Sequence, residues 1–200
     1  MEAKNVIKVE LEFLEEVLGM SSNNPEIHSE YVAKKAPDAA KMAEEVAAIG
    51  VEDYIEKGMT VFPRNEEGDP ILFDYQVKGF FKDATAALRK VPGTKASKVK
   101  AYKKEIDGLL FVAPRMIVLE MDENLGECQR PLRAQTAQGE RVALAHSETA
   151  PAGTTIRFEI HAFTDDMAAL ARECLDYGEF RGMGQWRNSG KGRFVWREVK

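Results

Sequence analysis

The chain has 200 residues, 44% of them hydrophobic and 30% charged, and a net charge of −5. That length suits one globular domain with a sizeable core, or one domain carrying an insertion. The acidic balance excludes a globally basic nucleic-acid binder, two cysteines without a CxxC pair exclude a disulfide framework or a zinc pattern, and no apolar run is long enough to span a membrane.

Val6 to Phe13 alternate, with Ile7, Val9, Leu11 and Phe13 on one face and Lys8, Glu10 and Glu12 on the other. That period of two predicts a half-buried strand. An acidic, alternating N-terminal segment is not a secretory signal, and the sparse cysteines Cys128 and Cys174 fit a reduced cytoplasmic setting. Gly19 to Pro25 carries turn chemistry, and residues 20–58 then read as a helical insertion or lid. Within it Ala39, Met42, Val46 and Ile49 recur at helical spacing, with Gly50 at the end.

Met59 to Phe62 and Ile71 to Tyr75 are short strand-like runs around a turn at 64–70. After Val77-Lys78-Gly79 a helix of about a dozen residues is expected, with Phe80, Phe81, Ala84, Ala87 and Leu88 on its apolar face. Residues 78–104 hold nine lysines and arginines against few acids, and 94–107 reads as an exposed, Lys-rich stretch. Leu109 to Met121 predicts a buried strand bent or bulged at Pro114. Residues 122–139 look loop-like, and Arg141 to His146 with Thr154 to Phe163 predict a hairpin around 147–153. Thr164-Asp165-Asp166 is a helix start, and Met167, Leu170, Ala171, Cys174 and Leu175 form its buried stripe up to a C′ glycine at Gly178. Phe194 to Val199 reads as a closing strand.

The tail between that helix and the last strand contains Gly182, Gly184, Gly190 and Gly192, interleaved with Arg181, Arg187, Lys191 and Arg193 and with Trp186 in the middle. Glycines expose backbone N–H groups, arginine and lysine suit phosphate, and an aromatic ring among them can stack on a base. The alternative is a Gly-rich turn whose charges are merely solvated. Stripped of its insertion, the order is β-α-β-β-α-β, an α+β ferredoxin-like pattern in one domain of residues 1–200 with an extra β-hairpin.

Three stretches together resemble the RAMP superfamily, the repeat-associated RNA-binding proteins of CRISPR effector complexes. They are the glycine-rich run from Gly178 to Arg193, the segment Gly68-Asp69-Pro70 leading into Lys78-Gly79-Phe80-Phe81-Lys82, and Ala150 to Ile160 with its Pro, Gly, Thr and alternating strand. The resemblance implies a modified RNA-recognition fold that holds single-stranded RNA, or a small nucleotide, across its sheet and glycine loop. By matching position, Lys78, Gly79, Lys82, Arg181, Gly182, Gly184, Arg187, Asn188, Lys191 and Arg193 would line the phosphates and Trp186 would stack. Asp74-Tyr75-Gln76-Val77 stands where the family has small residues, and the acidic balance and short length point to a compact stand-alone or virus-encoded relative.

Two other readings follow from the same resemblance. One is a RAMP-type endoribonuclease, for which His28 with Tyr31 and Lys34, or an acid such as Asp53 or Asp38, would carry the chemistry. The other is an assembly subunit of a CRISPR-like or anti-defence complex, or a homo-oligomer. No GxxxxGK[ST], GxGxxG after a first strand, HExxH or GxSxG occurs, so no metal and no cofactor is assigned.

Overall fold

The computed structural model describes residues 3, 5–22, 58–136 and 139–199. In chain order the elements are β1 (Asn5–Phe13), β2 (Val17–Leu18), β3 (Ser21–Ser22), β4 (Thr60–Val61), β5 (Ile71–Phe73), α1 (Asp74–Leu88), α2 (Tyr102–Leu109), β6 (Leu110–Ala113), β7 (Met116–Glu120), β8 (Gly126–Thr136), β9 (Gly139–Ala150), β10 (Thr155–Ala162), α3 (Asp165–Arg181) and β11 (Phe194–Glu198). The architecture is α+β with mostly antiparallel sheets. The chain divides into two compact units, one of residues 1–17, 63–124 and 150–200 and one of residues 18–62 and 125–149.

The first unit is built on β1. Ile7, Val9, Leu11 and Phe13 are all buried, as the alternation predicts. The strand pairs antiparallel with β10, in the register Ile7↔Ile160 and Leu11↔Ile156, and with β11, Phe13 facing Phe194. The sheet order is β11-β1-β10-β7-β5, with β6 also beside β10. The apolar run 109–121 is thus two strands, separated at a cis Ala113–Pro114 peptide.

Two helices bury their apolar stripes in this unit. α3 is capped by the Thr164 hydroxyl, which accepts from the Met167 N–H at 3.2 Å, and it buries Met167, Leu170, Ala171, Cys174 and Leu175. Burial pushes the Cys174 thiol up to about 12, so this cysteine is a packing residue, 3.4 Å from the Thr85 hydroxyl of α1. α1 buries Val77, Phe80, Phe81, Ala84 and Thr85.

Several boundaries differ from those expected. α1 starts at Asp74, so Lys78 and Gly79 lie inside it rather than before it. The Phe73 N–H donates to the Gln76 side chain at 2.7 Å and the Asp74 N–H to the Arg115 carbonyl at 3.0 Å, which satisfies donors at the helix start. Gly178 is not a C′ residue; α3 runs on to Arg181 and ends at Gly182, with φ 72°. A Cβ on Gly178 would lie 2.1 Å from the Phe194 ring, so glycine is required there by close helix-to-strand packing. Gly178→Ala is expected to cost about 1–3 kcal/mol by overpacking, read by urea denaturation; an unchanged midpoint would mean that the ring relaxes freely.

The Lys-rich stretch 94–107 contains a 3-10 turn at Ala96–Lys98 and most of α2. Residues 122–139 are not a loop: β8 occupies Gly126–Thr136 and pairs with β9 from Gly126↔Thr149 to Thr136↔Gly139. The extra hairpin is therefore β8–β9, and β10 pairs with β1, β6 and β7 instead of with β9. Glu127, Gln129, Arg130 and Gln135 disguise β8, because backbone pairing does not need apolar side chains.

In the second unit the sheet order is β2-β9-β4-β3, with β8 on β9. The Thr60 and Ser147 hydroxyls lie 2.8 Å apart, and the Phe62 N–H donates to the Glu148 carboxylate at 2.9 Å. Gly19 packs where a Cβ would lie 2.5 Å from the Val61 backbone. Most of the expected insertion, including His28, Tyr31, Lys34, Asp38 and Asp53, lies outside the described residues.

Candidate nucleic-acid interface

The glycine-rich loop joins α3 to β11 within the first unit. Gly182, Gly184, Gly190 and Gly192 all have positive φ, and Trp186 is left-handed at φ 54°. The loop closes on itself: the Met183 N–H donates to the Gly192 carbonyl at 2.8 Å, the Gly192 N–H donates to the Glu16 carbonyl at 2.8 Å, and the Met183 side chain is buried. A Cβ on Gly192 would sit 1.9 Å from the Met183 carbonyl oxygen, and one on Gly182 would sit 2.7 Å from that of Lys191. Both glycines are therefore demanded by the loop's own packing. At its tip a 3-10 turn, Arg187–Ser189, leaves Trp186, Asn188 and Ser189 exposed.

The four loop cations have partners in their own unit. Arg181 Nε and Arg187 donate to the same Asp83 carboxylate oxygen at 2.8 and 2.6 Å. Lys191 Nζ donates to Glu16 at 2.7 Å, and Arg193 Nε to the Glu179 carbonyl at 2.7 Å. On α1, one helical turn apart, Lys78 and Lys82 converge on Asp107: Lys82 at 2.6 Å from its carboxylate, Lys78 donating to its carbonyl at 3.0 Å. Gly79 is exposed, with open space where a Cβ would stand. Asp83 follows Lys82 directly on α1, so the acid that holds the arginine pair and a member of the lysine pair stand on the same helical turn.

The electrostatics follow from this sharing. Burial opposes ionisation of Asp83, but the hydrogen bond from Arg181 and the charges of Arg187 and Arg181 outweigh it and hold the carboxyl below its ordinary value. The Lys82 hydrogen bond, opposed by slight burial and helped by the Lys78 charge, lowers Asp107 likewise. Burial lowers Lys78 despite Asp107. Five of the six cations thus face three carboxylates, Asp83, Asp107 and Glu16, while Arg193 meets only a backbone carbonyl, and the six keep an excess of positive charge over those acids.

Beside Lys78 lies an aromatic group that sequence reading missed. Phe73 and Tyr75 stack with centroids 5.4 Å apart, and the Arg115 guanidinium sits over both rings at 5.6 and 5.8 Å. Lys78 Nζ is 4.5 Å from the centroid of Phe111. The helical position of Tyr75, three residues before Lys78, was the available signal, hidden by reading 71–75 as strand. On the solvent face of the sheet Glu10 bridges Arg157 and Arg197, and the Arg157 hydrogen bond, against slight burial, lowers its carboxyl. Among the described residues no group of three or more His, Cys, Asp or Glu is placed to hold a metal, and no helix is long and apolar enough to cross a membrane.

The sequence matches no protein-family model and no curated protein. Solved structures are similar over 98% of the chain. A chain of the Type III-B Cmr-beta bound to cognate target RNA aligns at 11% identity with a TM-score of 0.53. The present chain spans 59% of that one. A chain of a Type IV-B CRISPR complex aligns at 12% identity, TM-score 0.48 and 90% coverage of its length, and Cmr6 from Pyrococcus furiosus at 10%, 0.49 and 98%. With the strand order β11-β1-β10 and two helices packed beside it, this chain has the fold of the RAMP-type proteins.

Proposed function

We propose that this chain is a non-catalytic RNA-binding protein of the RAMP type, working in the cytoplasm as a subunit of a CRISPR-like complex and requiring no cofactor. The observation that carries the reading is the likeness, over 98% of the chain, to a chain of the Type III-B Cmr-beta bound to cognate target RNA. The order β1-α1-β6/β7-β10-α3-β11, arranged β11-β1-β10-β7, fits a ferredoxin-like β-α-β-β-α-β core. Residues 1–200 would then act as one RAMP-like domain elaborated by the β8–β9 ribbon.

On this reading Lys78, Lys82, Arg181, Arg187, Lys191 and Arg193 receive RNA phosphates, with Trp186 and Asn188 at the loop tip and Gly182 and Gly184 shaping it. Arg181 with Arg187, and Lys78 with Lys82, each share one carboxylate, so a phosphate can replace that partner without these cations having to be newly ordered. Binding releases counterions from the RNA.

A gel shift with short, end-labelled single-stranded RNA, with and without magnesium, tests the proposal. The expected result is a retarded band at low salt and uncut RNA in both conditions. No retardation would overturn RNA binding, and cleavage by wild type that His28→Ala abolishes would overturn the non-catalytic assignment.

A further inference from the structure

Seven of the chain's 28 basic residues, and none of its 33 acidic ones, fall between positions 84 and 104. They are Arg89, Lys90, Lys95, Lys98, Lys100, Lys103 and Lys104, and all seven are exposed. In the loop site every cation has a partner in its own unit. Here, among the described residues, none of the six lysines is in an ion pair. Arg89 alone is engaged, 5.0 Å above the Tyr102 ring.

The backbone under these charges is firmly held. Ala96 and Ile106 are fully buried and Val99 nearly so. The Glu173 carboxylate of α3 accepts from the Lys95 and Ala96 N–H groups at 2.7 and 3.0 Å. The Thr94 hydroxyl donates to the Leu88 and Val91 carbonyls and accepts from the Ser97 N–H at 3.0 Å. The segment between α1 and α2 is thus an anchored ridge and not a loose solvated loop. Crowding seven like charges on it costs free energy that the single Glu173 carboxylate against its backbone offsets only in part, and an external polyanion would relieve that repulsion.

We infer that the 89–104 ridge is a second nucleic-acid surface, distinct from the glycine loop, which takes the phosphate backbone of single-stranded RNA without reading its bases. The composition selects phosphate over a protein carboxylate surface. Six of the seven cations are lysine, a hydrated point charge that neutralises phosphate without a fixed bidentate geometry, which suits contacts that do not read bases. Protein interfaces are depleted in lysine and enriched in aromatics, and Val91 is the ridge's only exposed large apolar residue. The inference rests on the RNA-binding reading but on none of its site residues.

The test is fluorescence anisotropy with labelled oligouridylate across a salt series. It compares full-length wild type, a ridge variant (Lys95→Gln, Lys98→Gln, Lys100→Gln, Lys103→Gln and Lys104→Gln combined) and Arg187→Gln. Circular dichroism checks that the fold is kept. The ridge variant is expected to bind at least about tenfold more weakly at low salt, with the log–log salt slope flattened by about 3, from roughly 0.7 per phosphate contact. A ridge variant that binds like wild type while Arg187→Gln weakens would overturn the ridge and leave the RNA-binding reading standing. Failure of wild type to bind would overturn both. Displacement of the RNA by polyglutamate as readily as by unlabelled RNA would assign the ridge to an acidic protein and overturn the inference.

Discussion

Replacing Gly192 by alanine is expected to destabilise the protein by about 3 kcal/mol or more, seen as a large drop in the urea midpoint. Two costs combine there. Gly192 has φ 70°, a conformation that costs an L-residue about 1–2 kcal/mol. Its missing Cβ would also fall 1.9 Å from the Met183 carbonyl oxygen, inside the pairing that closes the loop. Gly190→Ala separates the two, because Gly190 has φ 89° but open space where a Cβ would stand. It should cost only about 1–2 kcal/mol. Equal losses in the two variants would contradict the view that the loop's glycines serve close backbone approach.

Asp83→Asn is expected to move stability and RNA affinity in opposite directions. Asp83 is the shared acceptor for Arg181 and Arg187, and its side chain is only 31% exposed. Losing the charge should destabilise by about 1 kcal/mol, a modest figure because solvent screens the pair. The same change frees positive charge at the loop, and RNA should bind about fivefold more tightly, roughly 1 kcal/mol. The folded-state pKa of Asp83 is depressed, so the stability contributed by its carboxylate is present above the unfolded-state pKa near 3.8 and is lost as pH falls through the lower folded value. The stability gap between wild type and variant should therefore close in acid and persist at neutral pH. A variant that binds RNA no better would leave Arg181 and Arg187 as structural cations and contradict their assignment to phosphate.

What the sequence made legible depended on local period. β1 and α3 are read from seven or eight side chains each, whose alternation or helical spacing survives into the buried rows Ile7-Val9-Leu11-Phe13 and Met167-Leu170-Ala171-Cys174-Leu175. β8 was illegible because it is held by backbone pairing with β9 and its mixed sequence, with Glu127, Gln129, Arg130, Arg133 and Gln135 among its residues, carries no apolar alternation. Gly178 was misread as a cap because the reason for glycine is the Phe194 ring, sixteen residues on and across a helix–strand contact. The candidate site shows the same division. Its residue types and glycine spacing were visible, but the acid that joins Arg181 to Arg187 is Asp83, about a hundred residues earlier, and nothing local announces it. The Phe73–Tyr75–Arg115 stack was hidden by a helix start placed several residues late.

The surplus of loop and α1 cations over their carboxylates amounts to three charges, which predicts a salt slope of at least about −2 on single-stranded RNA. Affinity of the full chain for a short labelled single-stranded RNA, measured between about 50 and about 200 mM salt, tests this most directly. Clear binding is expected at the lower salt, with a loss of about 15-fold or more at the higher. No binding at low salt, or an affinity indifferent to salt, would contradict it.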